Sequence, residues 1–356
     1  MPRERLCLKV SKVCGQHAIS FATKHMIIDR QLEIQNYANF VYIPLIRQPS
    51  AEELAELQVQ VPDFSLQLHK FPEKRKQSKT VTEVLEGHLP PHLMASLPKA
   101  LDVIGDIAIV EVPSELENHK ELLGAAILEA HKNLRTVLAK AGAVSGEYRL
   151  RGFEVIAGEP RTNTIHKEFG CSYQVDLAKA YFSPRLSHEH QRVASLVQQG
   201  ETVVDLFAGV GPFAVLIAKN HKDVKVYAVD LNADAVELLR TNIRLNRVEN
   251  RVFPIIGDAR LMVNAKLRGV SNRVIMNLPE KAIKFVDVAC KALKPEGGLL
   301  HFYSFIHKPD SLDALKARFA KAVANSGRHV GKFILAKPVR ETAPYTCQVV
   351  LDAEII

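Results

Sequence analysis

Three aspartates stand where short apolar segments end: Asp205, Asp230 and Asp258. The carboxyl ends of parallel strands meet at one edge of a sheet, so acids at these ends converge on one crevice. There, Asp230 can accept hydrogen bonds from both hydroxyls of a ribose, and Asp258 can receive the amino group of an adenine. The spacing therefore predicts a site for an adenosine-containing ligand.

The turn after the first acid, in Asp205-Leu-Phe-Ala-Gly-Val-Gly-Pro-Phe213, indicates which ligand this is. Gly209 and Gly211 lack a Cβ, so the backbone can approach a ligand closely, and Pro212 suits a first helical turn. A dinucleotide would place its phosphates beside the carboxylate of Asp205, whereas a cationic sulfonium with an amino group is compatible with it. We therefore expect S-adenosylmethionine (AdoMet) rather than NAD, contacted by the residues Asp205, Phe207, Ala208, Gly209, Gly211, Asp230, Leu231, Asp258, Ala259 and Asn277.

These residues need a parallel sheet to position them. Short apolar segments alternate with helical patterns from about residue 200 onward, which predicts an α/β, doubly wound sheet. The predicted strands are 202–205, 224–229, 252–256, 273–276 and 299–302, and the predicted helices are 213–220, 233–246, 282–293 and 312–325.

Two smaller α+β units are expected before this sheet. Residues 1–66 form the first, residues 67–79 a basic linker, residues 80–168 the second, and residues 169–356 the sheet domain. In the second unit, Leu101–Val110 reads as a buried strand with a glycine bend, and Asn118 as the cap of a helix that runs to about Lys140.

Composition narrows the class of protein. The 356 residues are 47% hydrophobic, which argues against disorder, and 47 Lys+Arg against 39 Asp+Glu leave a charge of +8, compatible with a polyanionic partner. The scattered cysteines, the absence of an apolar leader and the absence of a long apolar span predict a reduced, cytoplasmic protein without a membrane segment. His188 and His190 are expected to be solvated, and no metal site is predicted.

The chain resembles the archaeal and eukaryotic tRNA (guanosine-37 N1)-methyltransferase family. The resemblance rests on Asp205–Phe213, on Asn277-Leu-Pro279, on Tyr181-Phe-Ser-Pro-Arg-Leu186 with Glu189, and on Ile104-Gly-Asp-Ile-Ala-Ile109. It covers essentially the whole chain, including the N-terminal unit. It implies a Rossmann-like, class I, AdoMet-dependent methyltransferase domain preceded by two smaller domains.

The resemblance also implies catalytic roles. Guanine N1 carries a proton at neutral pH, and Glu189 matches the base that removes it before direct SN2 transfer of the methyl group. Arg149 matches the arginine that stabilises charge on O6, although Arg151 lies on the same strand face. Asn277 would orient the base edge, while the residues expected to shape the pocket around a flipped guanine are Tyr181 and Pro279.

Contacts with tRNA are expected at several places. Arg185 would contact backbone phosphate or position the base, and the basic linker residues Lys74, Arg75 and Lys76 are compatible with phosphate binding. The N-terminal unit would dock elsewhere on the folded tRNA, and the family implies a monomer.

Four other functions stay open from the sequence. Two use the same tRNA position: a bifunctional member that also methylates a wyosine intermediate (imG-14), and a wyosine aminocarboxypropyltransferase, which lacks the Asn-Leu-Pro signature. The others are a non-catalytic RNA-binding module and an NAD dehydrogenase. The three acids speak against the former, and no proton-transfer residue supports the latter.

Overall fold

The computed structural model describes residues 3–73, 79–146, 148 and 150–356. It divides into two compact units, Met1–Ser78 and Lys79–Ile356. Within the described residues, every helix is too short or too polar to cross a bilayer.

The first unit is an antiparallel sheet covered by two helices. Its strands pair in the order β2-β3-β1-β4, and its core includes Leu8, Ile43 and Leu57. The elements are β1 Arg3–Ser11, α1 Gly15–Lys24, β2 Gln35–Tyr37, β3 Phe40–Pro44, α2 Ala51–Gln60 and β4 Phe64–Phe71. Strand β4 pairs with β1 as far as Arg3 opposite Phe71, so the predicted boundary after residue 66 falls inside a strand.

The second unit begins with a four-stranded sheet in the order β5-β6-β7-β8. A two-stranded hairpin of β9 and β10 follows it. The elements are α3 Val81–Leu85, α4 Pro91–Ala95, β5 Asp102–Ile104, β6 Ile107–Val110, α5 Lys120–Ala130, β7 Thr136–Ser145, β8 Leu150–Gly158, β9 Asn163–Glu168 and β10 Cys171–Asp176.

One prediction in this region is right in part and a second is wrong. The bend expected within Leu101–Val110 is present at Gly105, whose φ is +58°, but it turns the chain back into an antiparallel hairpin instead of interrupting one strand. The helix expected from Asn118 to Lys140 ends at Ala130, and Thr136–Ser145 is a strand instead. The β-branched Thr136 and Val137 pair with β6 on one edge and β8 on the other, and the side chains of Val137 and Leu138 are buried in cores on opposite faces.

The rest of the unit is a seven-stranded sheet in the order β13-β12-β11-β14-β15-β17-β16. The first five strands in this order are parallel, and β17 runs antiparallel to both of its neighbours. The elements are α6 Ser187–Leu196, β11 Thr202–Asp205, α7 Pro212–Asn220, β12 Lys225–Asp230, α8 Ala233–Asn246, β13 Val252–Ile256, α9 Ala259–Met262, β14 Arg273–Met276, α10 Val286–Ala292, β15 Gly298–His307, α11 Leu312–Asn325, β16 Val330–Ala343 and β17 Thr346–Ile355.

Apolar layers cover both faces of this sheet, as the near-continuous apolar strands require. Val203 belongs to the core on one face and Val204 to the core on the other. The chain reverses its winding between β11 and β14, so the strand ends on either side of this point open into a crevice.

Candidate active site

A cavity of about 350 Å³ lies at the carboxyl ends of the parallel strands. It brings together most of the residues predicted for the cofactor and the target base. The predicted residues that line it are Tyr181, Phe207, Ala208, Gly209, Asp230, Leu231, Asp258, Ala259 and Asn277. Asp205, Gly211 and Pro279 lie directly beside lining residues but do not line the cavity themselves.

The glycine turn, residues 209–211, is hydrogen-bonded to Asp230 at the end of β12. Gly209 and Gly211 have φ values of +54° and +88°, a region that favours glycine. The amide of Gly209 donates to Oδ2 of Asp230 at 2.6 Å, and the amide of Asn232 donates to Oδ1 at 2.9 Å. Burial raises the pKa of Asp230. Because a carboxylate oxygen has two lone pairs, Asp230 can still accept hydrogen bonds from a ribose.

Asp205 is fully buried beneath Leu206 and Phe207, which line the cavity. Its Oδ1 accepts a long hydrogen bond from the amide of Phe207, at 3.3 Å, while Oδ2 has no hydrogen-bond partner among the described residues. Burial, together with the charge of Asp230, raises the pKa of Asp205 to about 7. A cationic group beside this carboxylate would supply the missing interaction.

Asn277 repeats this feature on the neighbouring strand. Its Oδ1 is buried and likewise lacks a partner within the described chain. Asn277 follows β14, which pairs directly with β11, so the two unpartnered oxygens belong to adjacent strand ends. Buried polar atoms are almost always paired in native proteins, so both atoms point to a ligand.

The opposite end of the cavity is aromatic. Asp258 caps α9 by accepting from the amide of Arg260 at 2.7 Å. The guanidinium of Arg260 lies 3.7 Å from the ring centroid of Phe285, and Phe285 meets Phe207 edge to face at 5.0 Å. This end offers flat apolar surface beside an acceptor, which suits an adenine ring.

Glu189 does not line the cavity, contrary to the position expected for a base. Its side chain is buried in α6 and binds Arg192, the hydroxyl of Tyr303 at 2.9 Å and Nζ of Lys337 at 3.2 Å. Burial raises the pKa of Glu189, but Arg192, Tyr303 and Lys337 outweigh it and hold the pKa below its ordinary value. The carboxylate is therefore ionised at neutral pH and is already engaged.

The expectation for the neighbouring histidines is half wrong. His188 is exposed, as predicted, but His190 is only 2% exposed and lines the cavity. Its Nδ1 lies 2.6 Å from Oε1 of Glu168 on β9. The apolar residues Leu186 and Val193 lie four residues before and three after His190, a helical spacing that signals a buried position. Its contacts with Phe213 and Glu168 carry no such signal, because both partners are far away in the chain.

Tyr181 and Arg185 lie on the loop that enters α6. Arg340 of β16 holds this loop by donating to Oγ of Ser183 at 2.9 Å and to the hydroxyl of Tyr181 at 3.3 Å. Arg185 donates to both carboxylate oxygens of Asp102. Neither β16 nor β17 was predicted from the sequence. The position of Arg340 on a strand beside this loop was therefore missed.

A second cavity, of about 200 Å³, lies on the other side of Tyr181, Phe182 and Ser183. Arg151 lines it, with a buried Nε that has no partner in the described residues. The predicted residues Arg149, Lys74, Arg75 and Lys76 lie outside the described residues.

The sheet order, the glycine turn after β11 and the acids at successive strand ends define a Rossmann-like methyltransferase fold of class I. The family model for the TRM5/TYW2 methyltransferase domain matches residues 164–330, and that for the TYW2 N-terminal domain matches residues 81–162.

Similar proteins and solved structures point to the same family as these models. A tRNA (guanine(37)-N(1))-methyltransferase Trm5b of Pyrococcus abyssi is 36% identical over 92% of this chain and 92% of its own length. The crystal structure of Trm5b from that organism has a TM-score of 0.72, with 32% identity and 99% of each chain covered. The chain therefore belongs to the TRM5/TYW2 methyltransferase family, and the resemblance predicted from the sequence is confirmed.

Three further proteins bear on function. A complex of aTrm5 with tRNALeu has a TM-score of 0.69, with 31% identity and coverage of 99% of this chain and 100% of that one. Pyrococcus horikoshii TYW2 in complex with MeSAdo has a TM-score of 0.66, with 28% identity and coverage of 78% and 98%. A tRNA 4-demethylwyosine(37)-methyltransferase Taw21 of Saccharolobus solfataricus is 34% identical over 71% of this chain and 93% of its own length.

Proposed function

We propose that this protein transfers a methyl group from AdoMet to N1 of guanosine-37 in tRNA. The observation that carries the proposal is a pair of buried side-chain oxygens, on Asp205 and Asn277, that have no hydrogen-bond partner among the described residues and belong to adjacent strand ends beside one cavity. The similarity to Trm5b over nearly the full length of both chains supports the choice of tRNA and of position 37.

The residues present fit AdoMet. Across the sheet, the strand-end residues follow the order Asp258, Asp230, Asp205 and Asn277, since β13, β12, β11 and β14 are neighbours in that order. This order suits an adenine amino group, ribose hydroxyls and a methionine ammonium in succession, with Asn277 next to the target base. When bound, AdoMet would supply the electrophilic methyl carbon.

Asn277 and Tyr181 would position the guanine. Both line the cavity, and Pro279 lies buried two residues after Asn277. The amide of Asn277 can hydrogen-bond the base edge, while the ring of Tyr181 provides a stacking surface. For charge on O6, Arg149 stays the predicted residue, and Arg151 in the adjacent cavity is the alternative.

Glu189 stays the predicted base. It lies within one helical turn of Leu186 and His190, which both line the cavity. To accept the N1 proton, its carboxylate must exchange Tyr303 or Lys337 for the guanine when the nucleotide binds. Catalytic hydrogen bonds often form only in the substrate complex, so this exchange is compatible with the role.

The tRNA would extend beyond the cavity. Arg185 is half exposed despite its pairing with Asp102, so it can still reach a phosphate. Phosphate binding by Lys74, Arg75 and Lys76 stays a prediction, and so does docking of the N-terminal unit on tRNA. The monomeric state and the cytoplasmic location also stay predictions.

The full-length protein should methylate intact tRNA faster than an isolated anticodon stem-loop. Equal rates would contradict a role for the N-terminal unit.

A second candidate is methylation of a wyosine intermediate at the same position. The similarity to Taw21, which extends over 93% of that protein, favours keeping it. Aminocarboxypropyl transfer is less well supported, because the Asn277-Leu-Pro279 segment is in place at the end of β14.

The test is to incubate the protein with AdoMet and unmodified tRNA transcript and to map modified nucleosides by mass spectrometry. We expect 1-methylguanosine at position 37, and none in a transcript that carries adenosine there. A parallel reaction with tRNA containing 4-demethylwyosine tests the second candidate. Absence of 1-methylguanosine at position 37 would contradict the proposed function, and absence of a new methyl group on 4-demethylwyosine would contradict the second candidate.

A further inference from the structure

Glu168 and His190 form a buried carboxylate–imidazole pair that the predicted roles do not use. Their side chains are 4% and 2% exposed, and Oε1 of Glu168 lies 2.6 Å from Nδ1 of His190. Both residues belong to the same compact unit, on β9 and α6. Buried ionisable groups beside a cavity are frequently functional.

A second histidine fixes the protonation of this pair. The amide of Gly105 donates to Nδ1 of His166 at 3.2 Å, so in the neutral ring the proton is on Nε2, which faces Oε2 of Glu168 at 3.6 Å. Burial raises the pKa of Glu168, but His166 and His190 outweigh it and lower the pKa to about 2. An ionised carboxylate only accepts hydrogen bonds, so Nδ1 of His190 carries a proton.

His190 lies at one particular part of the cavity, which its contact with Phe213 identifies. Its ring packs edge to face against Phe213 in the first turn of α7, with 4.6 Å between centroids. Helix α7 starts at the glycine turn that follows Asp205. His190 therefore lies beside the end of β11, where the methionine part of AdoMet is proposed to bind. It lies away from β13, which Asp258 follows at the adenine end.

Charge points to the group that His190 contacts. The methionine part of AdoMet carries an ammonium, for which Asp205 is suited, and a carboxylate, which needs a donor. Pro212 opens α7 and has no amide hydrogen to offer. The other basic side chains that line the cavity in the described chain are Arg260, Lys281 and Lys284; they follow β13 and β14 and are exposed.

We propose that His190, oriented by Glu168, donates a hydrogen bond from Nε2 to the methionine carboxylate of AdoMet. The inference rests on the proposed use of AdoMet and adds a carboxylate-binding residue to that site. Glu168 acts as a positioning residue: its carboxylate accepts from Nδ1, so that with a ligand carboxylate at Nε2 each ring nitrogen donates to its own acceptor.

The test compares two ligands by isothermal titration calorimetry with the full-length protein. S-adenosylhomocysteine has the carboxylate, whereas its decarboxylated analogue keeps the adenosine, sulfur and amino group without it. His190→Asn retains a donor toward Glu168 but removes Nε2. We expect this variant to bind S-adenosylhomocysteine about tenfold to a hundredfold more weakly and the analogue within about twofold of the wild type.

Four further variants sharpen the result. His188→Asn, in the same helix but exposed, should bind both ligands normally. His190→Gln, which restores a donor near the position of Nε2, should recover part of the affinity, and Glu168→Gln should reduce affinity only for the ligand with the carboxylate. Asp205→Asn should instead weaken both ligands, since both carry the amino group.

The outcomes separate this inference from the proposed function. If the wild type binds neither ligand, the proposed cofactor fails and this inference fails with it. If the wild type binds both, but His190→Asn weakens both equally or weakens neither, the role of His190 is overturned while the proposed cofactor stands.

Discussion

Arg192 binds one oxygen of Glu189 through two nitrogens: Nε donates a hydrogen bond to Oε2 at 2.9 Å, and Nη2 forms an ion pair with the same oxygen at 2.8 Å. The guanidinium also binds Asp352, whose Oδ1 lies 2.7 Å from Nδ1 of His301. Nε2 of His301 meets Arg273, which binds Glu201. A chain of ion pairs and hydrogen bonds, which passes through the buried imidazole of His301, therefore connects Glu189 to Glu201, directly before β11.

Glu189→Gln tests whether this carboxylate is more than a member of that chain. We expect methyl transfer to slow by about 10²-fold or more, because guanine N1 keeps its proton, while AdoMet and tRNA affinities stay nearly intact. Loss of the ion pair with Arg192 should also lower the free energy of unfolding by about 1–3 kcal/mol. Single-turnover kinetics and urea unfolding measure the two effects.

Glu201→Gln is the matched control for Glu189. Glu201 accepts from Nε and Nη2 of Arg273 at 2.8 and 3.0 Å, at the other end of the same chain of contacts. It should destabilise the protein comparably and leave the rate within about twofold of the wild type. Near-normal single-turnover rates for Glu189→Gln would remove Glu189 from the base role.

Asp205 should make AdoMet binding depend on pH. Its pKa of about 7 means that the carboxyl is largely protonated at pH 6 and largely ionised at pH 8. Only the ionised form pairs with an ammonium, so affinity should rise about tenfold over this interval. Asp205→Asn should bind weakly at both pH values, whereas Asp234→Asn, exposed at the start of α8, should follow the wild type. Calorimetry at both pH values is the measurement; a flat wild-type profile would contradict this role.

The two turn glycines should differ in their tolerance of alanine. A Cβ at Gly211 would lie 2.2 Å from Cδ1 of the buried Leu239, whereas at Gly209 the nearest atom is 3.8 Å away. Both substitutions force alanine into a positive φ. Gly211→Ala should therefore destabilise the protein by about 1–3 kcal/mol more than Gly209→Ala in urea unfolding. Equal losses would show that Leu239 moves aside freely.

Arg340→Met should impair methylation of tRNA, because Tyr181 and Ser183 lose their shared partner. We expect a single-turnover rate about tenfold lower with subsaturating tRNA. Lys332→Met removes the same charge from an exposed site on the same strand and should have little effect. Similar losses in both variants would indicate a general effect of charge on tRNA binding.

Much of the parallel sheet follows from local pattern. The strands at 202–205, 252–256 and 273–276 and the helices at 233–246 and 312–325 have the predicted bounds. The strands at 202–205 and 273–276 are apolar and buried on both faces, and each helix carries one apolar, buried face, so each segment carries its own signal. The strand at Thr136–Ser145 was predicted as helix because its apolar residues fit a helical face, and only pairing with β6 and β8 decides otherwise.

The residues of the candidate site also fall into those that local sequence predicts and those that only tertiary contacts place. Residues on the loops after parallel strands could be predicted, because strand ends converge by topology. Arg340 could not, because its partner Ser183 is distant in the sequence. The helical spacing of Leu186 and Val193 could have signalled that His190 is buried, but not that it contacts Glu168. Asn232 could have been found as the cap of α8, since an asparagine directly before a helical pattern is a common start signal.

The loop from Tyr181 to Leu186 is held at both ends, by Arg340 at Tyr181 and Ser183 and by Asp102 at Arg185. Its conformational entropy is thus largely lost when the chain folds, before any nucleotide arrives. Preorganised in this way, the loop presents a fixed contour, and a nucleotide of the wrong shape cannot remodel it at low cost.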